Sequence, residues 1–400
     1  MTVTAGEDHR GKGFLASLPM SRRAAIASAA VVGCLLVAGS AAGFARLFAS
    51  EPAGSAARAA KPPIVVPGTE TTSSPSAAAS ESASASSAAE AAHAAAASLP
   101  TVRRAALIAF RRDGSLWVSA ETGAGARSIA ISADGVFSLS PDGLTVALVD
   151  TASGRLSVIT VATAAAVGAG PAAQSTPVWA PDSTWLVYRT DTDTGSELVR
   201  VAREGAPPRP LGAGSSPSIS PDGAWVFAVR SDAGGVRRVV RIPAGGGVAE
   251  NVPKGQSVTG VSETGASAAR VFFARPAVAD AHPTIGSMTP AGGGVTTLVK
   301  EPKSTSYVSF TSLRPSPDGT WLAYQESGDD GFSRVYCVRV SGGDPVQLWL
   351  RYDTYVIGWS AAGAELLLAE RNAMLGEKPR IVAVHPDGTG RRVVAENAGL

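Results

Sequence analysis

From residue 140 onward, short apolar runs alternate with tight-turn residues at a regular interval. PVWA (177–180) and YVIGW (355–359) are apolar runs that end at a turn. TWLVYR (184–189), AWVFAVR (224–230) and TWLAYQ (320–325) start just after one. SELVRVA (196–202), RRVVRIP (237–243) and SRVYCVRV (333–340) follow a polar loop and alternate apolar with polar positions. Short runs rich in β-branched and aromatic residues, bounded by Gly, Pro, Asp and Ser, predict strands. In each unit a Gly/Pro hairpin then leads to a short fourth strand.

The turn between the first two strands is a repeated motif. It reads Ser140-Pro141-Asp142-Gly143, Ala180-Pro181-Asp182-Ser183, Ser220-Pro221-Asp222-Gly223, Ser262-Glu263-Thr264-Gly265, Ser316-Pro317-Asp318-Gly319 and Ser360-Ala361-Ala362-Gly363. Pro and Asp suit the first positions of a tight turn, and Gly supplies the positive φ at its end. Successive motifs are 40, 40, 42, 54 and 44 residues apart. A period in the low forties with four strands per unit is that of a β-propeller blade. Residues 105–131 supply a second, third and fourth strand with only a weak first. Residues 381–388 and 391–396 supply the last third and fourth strands. The fold class expected is therefore all-β, a propeller of four-stranded antiparallel blades. Seven blades are favoured over six plus an irregular extra sheet, and the segment that closes the ring is not readable. The motif at 262–265 lacks both Pro and Asp and marks the most divergent blade.

In residues 176–211 and 313–348 the repeat resembles the TolB-type propeller, a WD40-like repeat built on S-P-D-G. The resemblance covers about 290 residues. It implies the fold and is nearly silent on function, since many functions share one fold. TolB relatives carry a separate α/β domain in front. Here a linker precedes the repeat, so a role that depends on that domain, such as docking to a Tol–Pal system, is not implied.

The first hundred residues have a different pattern. Ala24–Ala45 is an uncharged run of 22 residues, about 33 Å long as a helix and enough to cross a bilayer. Arg10, Lys12, Arg22 and Arg23 precede it, and only Arg46 comes closely after it. The positive-inside rule puts residues 1–23 in the cytoplasm, makes 24–46 a signal anchor and places residues 47–400 outside. Residues 47–100 are an Ala/Ser/Pro-rich linker that cannot bury enough apolar surface to order itself. Within it, Ile64-Val65-Val66 is a short apolar stretch that could form a stray strand. Two other export readings compete with the signal anchor. Ser21-Arg22-Arg23 resembles the start of a twin-arginine signal, and Val31-Val32-Gly33-Cys34 resembles a lipobox with Cys34 as the lipidated residue. All three place residues 101–400, the propeller, outside the cytoplasm.

Composition narrows the chemistry. Lys+Arg total 35 and Asp+Glu 33, for a net charge of +2, so no basic face suits nucleic acid. Cys34 and Cys337 are placed too far apart in the scheme for an internal disulfide. Of the four histidines, His9 and His93 lie before the propeller, leaving His282 and His385 without visible partners. A His-based zinc site needs three clustered ligands. No nucleophile elbow, P-loop or dinucleotide fingerprint is present. Thr190–Gly195 faintly echoes a calcium loop but reads better as a hairpin. No catalytic residue, metal or cofactor is therefore expected.

Three side-chain patterns repeat. Asp142, Asp182, Asp222 and Asp318 sit inside the turn and are expected to accept backbone N–H bonds there. Trp185, Trp225 and Trp321 stand two residues past the turn and are expected to pack between blades. An Arg comes after the second strand in five units: Arg111, Arg189, Arg230, Arg275 and Arg371. The other two units have Asp150 and Gln325. The five arginines are a candidate partner-binding face, a partial cationic ring for an anionic partner. The plainer reading is local pairing of Arg111 with Asp113, Arg189 with Asp191 and Arg230 with Asp232, worth little energetically. The expected function is a non-enzymatic, membrane-tethered scaffold that engages an envelope protein, peptide or glycan. The alternative is a propeller enzyme (lyase, lactonase or glycan-active) with its site in the central channel.

Overall fold

The apolar runs pair as seven antiparallel sheets, in chain order, at residues 107–131, 135–168, 178–213, 215–251, 263–300, 308–351 and 354–396. The computed structural model describes residues 106–400, except 132–133, 206, 254–257, 277–281, 302–307, 330–332, 352–353 and 372–375. The anchor at 24–46, Cys34, the linker at 47–100 and Ile64–Val66 lie outside the described residues. Among those described, no helix is long and apolar enough to cross a membrane.

The chain is a seven-bladed β-propeller. Six sheets have four strands in chain order from one edge to the other. Blade 1 has three, Leu107–Arg112, Ser115–Ala120 and Arg127–Ile131, which correspond to the second, third and fourth strands of the others. The weak first strand expected from the sequence is thus missing from its sheet among the described residues.

Second strands are buried along nearly their whole length. Thr145–Asp150, Trp225–Ser231 and Leu366–Glu370 are buried at all but their end positions or throughout. A strand covered on both faces reads as a continuous apolar run rather than an alternation. Each face packs on a neighbouring blade. Seven hydrophobic clusters result, one per boundary: for example Ala109 and Leu116 of blade 1 with Val146 and Leu148 of blade 2, and Val187 and Leu198 of blade 3 with Val226 and Ala228 of blade 4. The seventh joins Leu367, Ala369 and Ile381 of blade 7 to Ile108 and Phe110 of blade 1, and so closes the ring.

The closing segment is the end of the described chain. Arg111 N donates to Gly399 O at 2.7 Å, and Gly399 N donates to Arg111 O at 3.0 Å. Gly399 thereby enters the place of the first strand of blade 1. Polar contacts add to this seam. Arg112 donates to Glu396 O at 3.0 Å, Arg392 to Glu121 O at 3.1 Å, and Ala361 N to the Glu121 carboxylate at 2.7 Å.

The divergent blade needs a correction. The motif spacing predicts its turn at 262–265. Instead Glu263–Ala266 is the first strand, and the turn lies five residues further on, at Ser267–Arg270. Arg270 there replaces the missing motif. Its guanidinium donates to Ser287 Oγ at 2.7 Å, Thr296 Oγ1 at 2.7 Å and Gly294 O at 3.3 Å, tying the turn to the third and fourth strands.

Deleting Ala398–Leu400 removes both backbone bonds to Arg111 and the buried Ala398 methyl. The expected loss is about 2–3 kcal/mol of stability, read as a lower Tm and faster hydrogen exchange at the Arg111 amide. An unchanged Tm with full protection at Arg111 would mean that side-chain contacts alone hold the seam.

Candidate functional site

Antiparallel order sorts the connections into two ends. The motif turns and the third-to-fourth-strand loops lie at one end, the turn end. The second-to-third-strand loops and the connections between blades lie at the other, the loop end. First strands of neighbouring blades touch one another around the central channel.

At the turn end the recurring Asp is turn chemistry. Ser140, Ser220 and Ser316 donate their hydroxyls to Asp142, Asp222 and Asp318 at 2.6, 2.5 and 2.5 Å. The same Ser oxygens accept the backbone N–H of Thr145, Trp225 and Trp321 at 3.0, 2.9 and 2.9 Å. The Ser316 hydroxyl, helped by the N–H and hydroxyl of Thr320, holds the Asp318 carboxyl below its ordinary value against the opposing effect of burial. Burial works against the charge of Asp142, but Ser140, the Leu144 N–H and Arg203 outweigh it and lower its pKa. Trp185 and Trp225 pack between blades as expected. Each recurring Trp also carries a partner that the motif alone does not show, an Arg from the third strand stacked on its ring. Arg200 lies over Trp185, Arg241 over Trp225 and Arg339 over Trp321, each 4.4 Å from the ring centroid. The signal was present as an Arg opposite or diagonal to each Trp on the paired strand.

The five candidate arginines all stand at the loop end. Arg111, Arg189, Arg230 and Arg275 lie in the later part of their second strands, and Arg371 is one residue past Leu366–Glu370. Their side chains do not share one direction, because side chains alternate across a strand. Arg111 and Arg189 follow the parity of Ala109 and Val187, which face the next blade. Arg230 and Arg275 follow Ala228 and Phe273, which face the preceding one.

Local pairing holds for one of the three expected pairs. Arg189 Nε lies 3.4 Å from Asp191. Arg111 instead reaches Asp134 at 2.5 Å, across the boundary to blade 2. Asp232 takes Arg238 at 3.2 Å, not Arg230. Arg275 lies over Phe273 at 5.3 Å, and burial lowers its pKa. Arg371 is exposed. On blade 2, Leu148, Asp150, Ser153, Arg155 and Ser157 line a shallow depression of about 330 Å³. Asp150 is held by the Ser153 hydroxyl and N–H, each at 2.7 Å, and these lower its pKa.

In the channel wall stands a carboxylate that a turn at 262–265 would have hidden. Glu263 keeps a small exposed area but is enclosed by protein on almost every side. It accepts the backbone N–H groups of Leu313 and Ser312 on the first strand of blade 6, Val308–Pro315. That strand bulges there, with Ser312 at φ +54°, as Ser216 does at +49° in blade 4. Hydroxyls dominate the wall beside it: Ser218 and Thr264 are 3.0 Å apart, and Thr264 donates to Ser216 O at 2.8 Å. Among the described residues, no three His, Cys, Asp or Glu side chains come together to hold a metal ion. Cys337 is buried, and desolvation pushes its thiol well above its ordinary value.

Desolvation raises the Glu263 carboxyl, and the Arg314 charge and the two N–H groups reverse this only in part. A carboxyl whose folded pKa exceeds its unfolded value, about 4.3, stabilises the fold fully only below that pH. The contribution is lost as pH rises through the folded value. Glu263→Gln is therefore expected to raise the urea midpoint at pH 7–8 and to converge with the wild type toward pH 4. A Gln variant that is the less stable one at pH 8 would show that the ionised form is the favoured one.

No protein-family model and no curated protein matches the chain. Solved structures that resemble it include TolB from Acinetobacter baumannii, at 16% identity and a TM-score of 0.46, covering 61% of this chain and 60% of that one. A prolyl endopeptidase matches at 16% identity and 0.51, covering 80% of this chain and 54% of that one. An oligogalacturonate lyase in complex with manganese matches at 13% identity and 0.51, covering 74% and 86%. The chain spans little more than half the length of the endopeptidase and three fifths of that TolB. At these identities the likeness is one of fold, and the fold is the seven-bladed β-propeller.

Proposed function

We propose that the chain is a non-enzymatic binding module, a propeller tethered through residues 24–46 to the cytoplasmic membrane and displayed outside it. Its partner is a protein, peptide or glycan of the cell envelope. The observation that carries this reading is the loop end, where five arginines stand and where Arg230 and Arg275 meet no carboxylate among the described residues, while carboxylates elsewhere on the ring are held in structural pairs. Asp142, Asp222 and Asp318 are held in turns, Glu370 by Arg380 and Arg391, Glu365 by Arg392, and Glu250 by Arg241. Cations presented on a rigid, pre-organised frame lose little entropy on meeting an anionic partner.

The second reading is a propeller enzyme with its site in the central channel. A lyase and an endopeptidase share the fold, and Glu263 stands in the channel wall. Stoichiometric metal found in the purified full chain would move the reading to this enzyme.

Reversing Arg189, Arg230 and Arg275 together to Glu is expected to reduce crosslinked partner capture from intact membranes at least about tenfold, or 1.4 kcal/mol. Undiminished capture by a variant that keeps its Tm would remove the loop-end arginines from the binding surface.

A further inference from the structure

We infer that Arg189 and Arg230 form a two-armed clasp, at the loop-end mouth of the boundary between blades 3 and 4, for a carboxylate on an acidic polypeptide segment. The inference rests on the binding-module reading and names the chemistry of its partner.

Geometry brings the two arginines to one place. Val187 of blade 3 and Ala228 of blade 4 pack in the same hydrophobic cluster. Arg189 is two residues past Val187 and Arg230 two past Ala228, on strands that run toward the same end. Period-two alternation keeps each Arg on the face of the residue before it, about 6.7 Å further along the strand. The two guanidinium groups therefore rise from opposite walls of one boundary. Elsewhere the loop-end arginines of the second strands meet other partners. Arg111 is met by Asp134 and stands on the same boundary as Asp150, and Arg275, whose Nε also lacks a hydrogen-bond partner, lies over its own Phe273 with no second cation of its kind on that boundary. At the boundary between blades 7 and 1, Arg112 donates to Glu396 O and lies over Phe110 and Trp117. Gln325 faces the boundary that holds Glu370.

Neither arginine of the clasp has a side-chain hydrogen bond among the described residues, and only Arg189 has an ion-pair contact. The Arg230 side chain makes no hydrogen bond or ion pair among the described residues, and Asp232 two residues on is engaged by Arg238, Gly234 N–H and Val236 N–H. Arg189 Nε is buried without a hydrogen-bond partner, although Asp191 lies 3.4 Å away as an ion-pair contact without hydrogen-bond geometry. Asp191 in turn takes the Ser196 hydroxyl at 2.9 Å. A buried guanidinium N–H that lacks an acceptor is costly, so the site favours a ligand that supplies one.

Charge selects the ligand class. Arg189, Arg230 and Arg238, set against Asp191 and Asp232 on the same faces, leave a local charge of +1. One carboxylate neutralises it, whereas a phosphate dianion would overshoot. A guanidinium also matches a carboxylate edge with two parallel N–H donors.

The test uses the purified full chain in detergent with three probes: acetylated hexaglutamate, acetylated hexaglutamine and inorganic phosphate. Hexaglutamate is expected to bind and hexaglutamine is not. The double variant Arg189→Gln, Arg230→Gln should lose hexaglutamate at least tenfold, and Arg230→Lys should lose part of it. Arg127→Gln, an exposed cation on blade 1, should stay within twofold. The clasp is overturned if the double variant binds normally, if Arg127→Gln loses as much, or if phosphate competes better than the peptide. Should the double variant fail to fold, Arg230→Gln alone decides, since Arg230 is only half-buried. Partner capture from membranes separates the two claims. If capture persists in the double variant while hexaglutamate binding fails in the wild type, the clasp falls and the module stands. If the wild type captures nothing, the module reading falls.

Discussion

A blade's second and third strands can lose their water on both faces only if another blade covers each side. That constraint shapes the rest of the molecule. Val226 to Val229 are all buried, with alternate residues given to blade 3 and blade 5. Covering a second strand such as Leu322–Tyr324 contributes several kcal/mol of hydrophobic free energy, and an open arc would forfeit it at two blades. The ring must therefore close, and the boundary between blades 7 and 1 is closed with Ile108 and Phe110 on Leu367 and Ile381, sealed by the Gly399 bridge. With the faces spent on packing, free chemistry is confined to strand ends and to the first strands around the channel.

Turn geometry fixes which residues reach those places. The Ser hydroxyl joins the Asp carboxylate to the N–H five residues past the Ser, so one side chain sets where the second strand begins. The inner strands are tied by longer-range bonds. Trp179 donates to Ser138 O at 3.1 Å and Trp359 to Arg314 O at 2.8 Å, each across a blade boundary. Recurrence of Asp thus reflects a structural need of the turn, met in the same way in blades 2, 3, 4 and 6. Blade 5 supports the point by exception, since Arg270 takes over the stapling from a different position.

Much of the fold was legible because its signals are local. Ser-Pro-Asp-Gly specifies a turn from four consecutive residues, and the continuous apolar runs specify strands covered on both faces. The turn of blade 5 was misread because Ser262–Gly265 has turn-like composition without Pro or Asp, and only pairing of Glu263 with Ala274 shows it to be strand. That error also hid Glu263 as a channel carboxylate. Ring closure was illegible because it joins Arg111 to Gly399, and Arg111–Asp134 was illegible because it crosses a blade boundary. Such contacts depend on tertiary placement, which neither periodicity nor composition encodes.

The arginines show the limit most sharply. Their position after the second strand was readable by counting, but their direction depends on register. Arg189 lies four residues past Trp185 and Arg230 five past Trp225. In a structure with period two, one residue inverts the face. Both Trp side chains turn toward the next blade, yet Arg189 turns with its Trp and Arg230 turns against its own. Repetition around the ring therefore does not produce a uniform ring of charge. It produces boundaries of different character: a neutralised one at Arg111 and Asp134, an aromatic one at Arg275 and Phe273, and a doubly cationic one between blades 3 and 4. Repeats drawn from one template can in this way present several distinct recognition sites, because a single-residue change in strand length reassigns a side chain to the opposite neighbour without disturbing the packing beneath it.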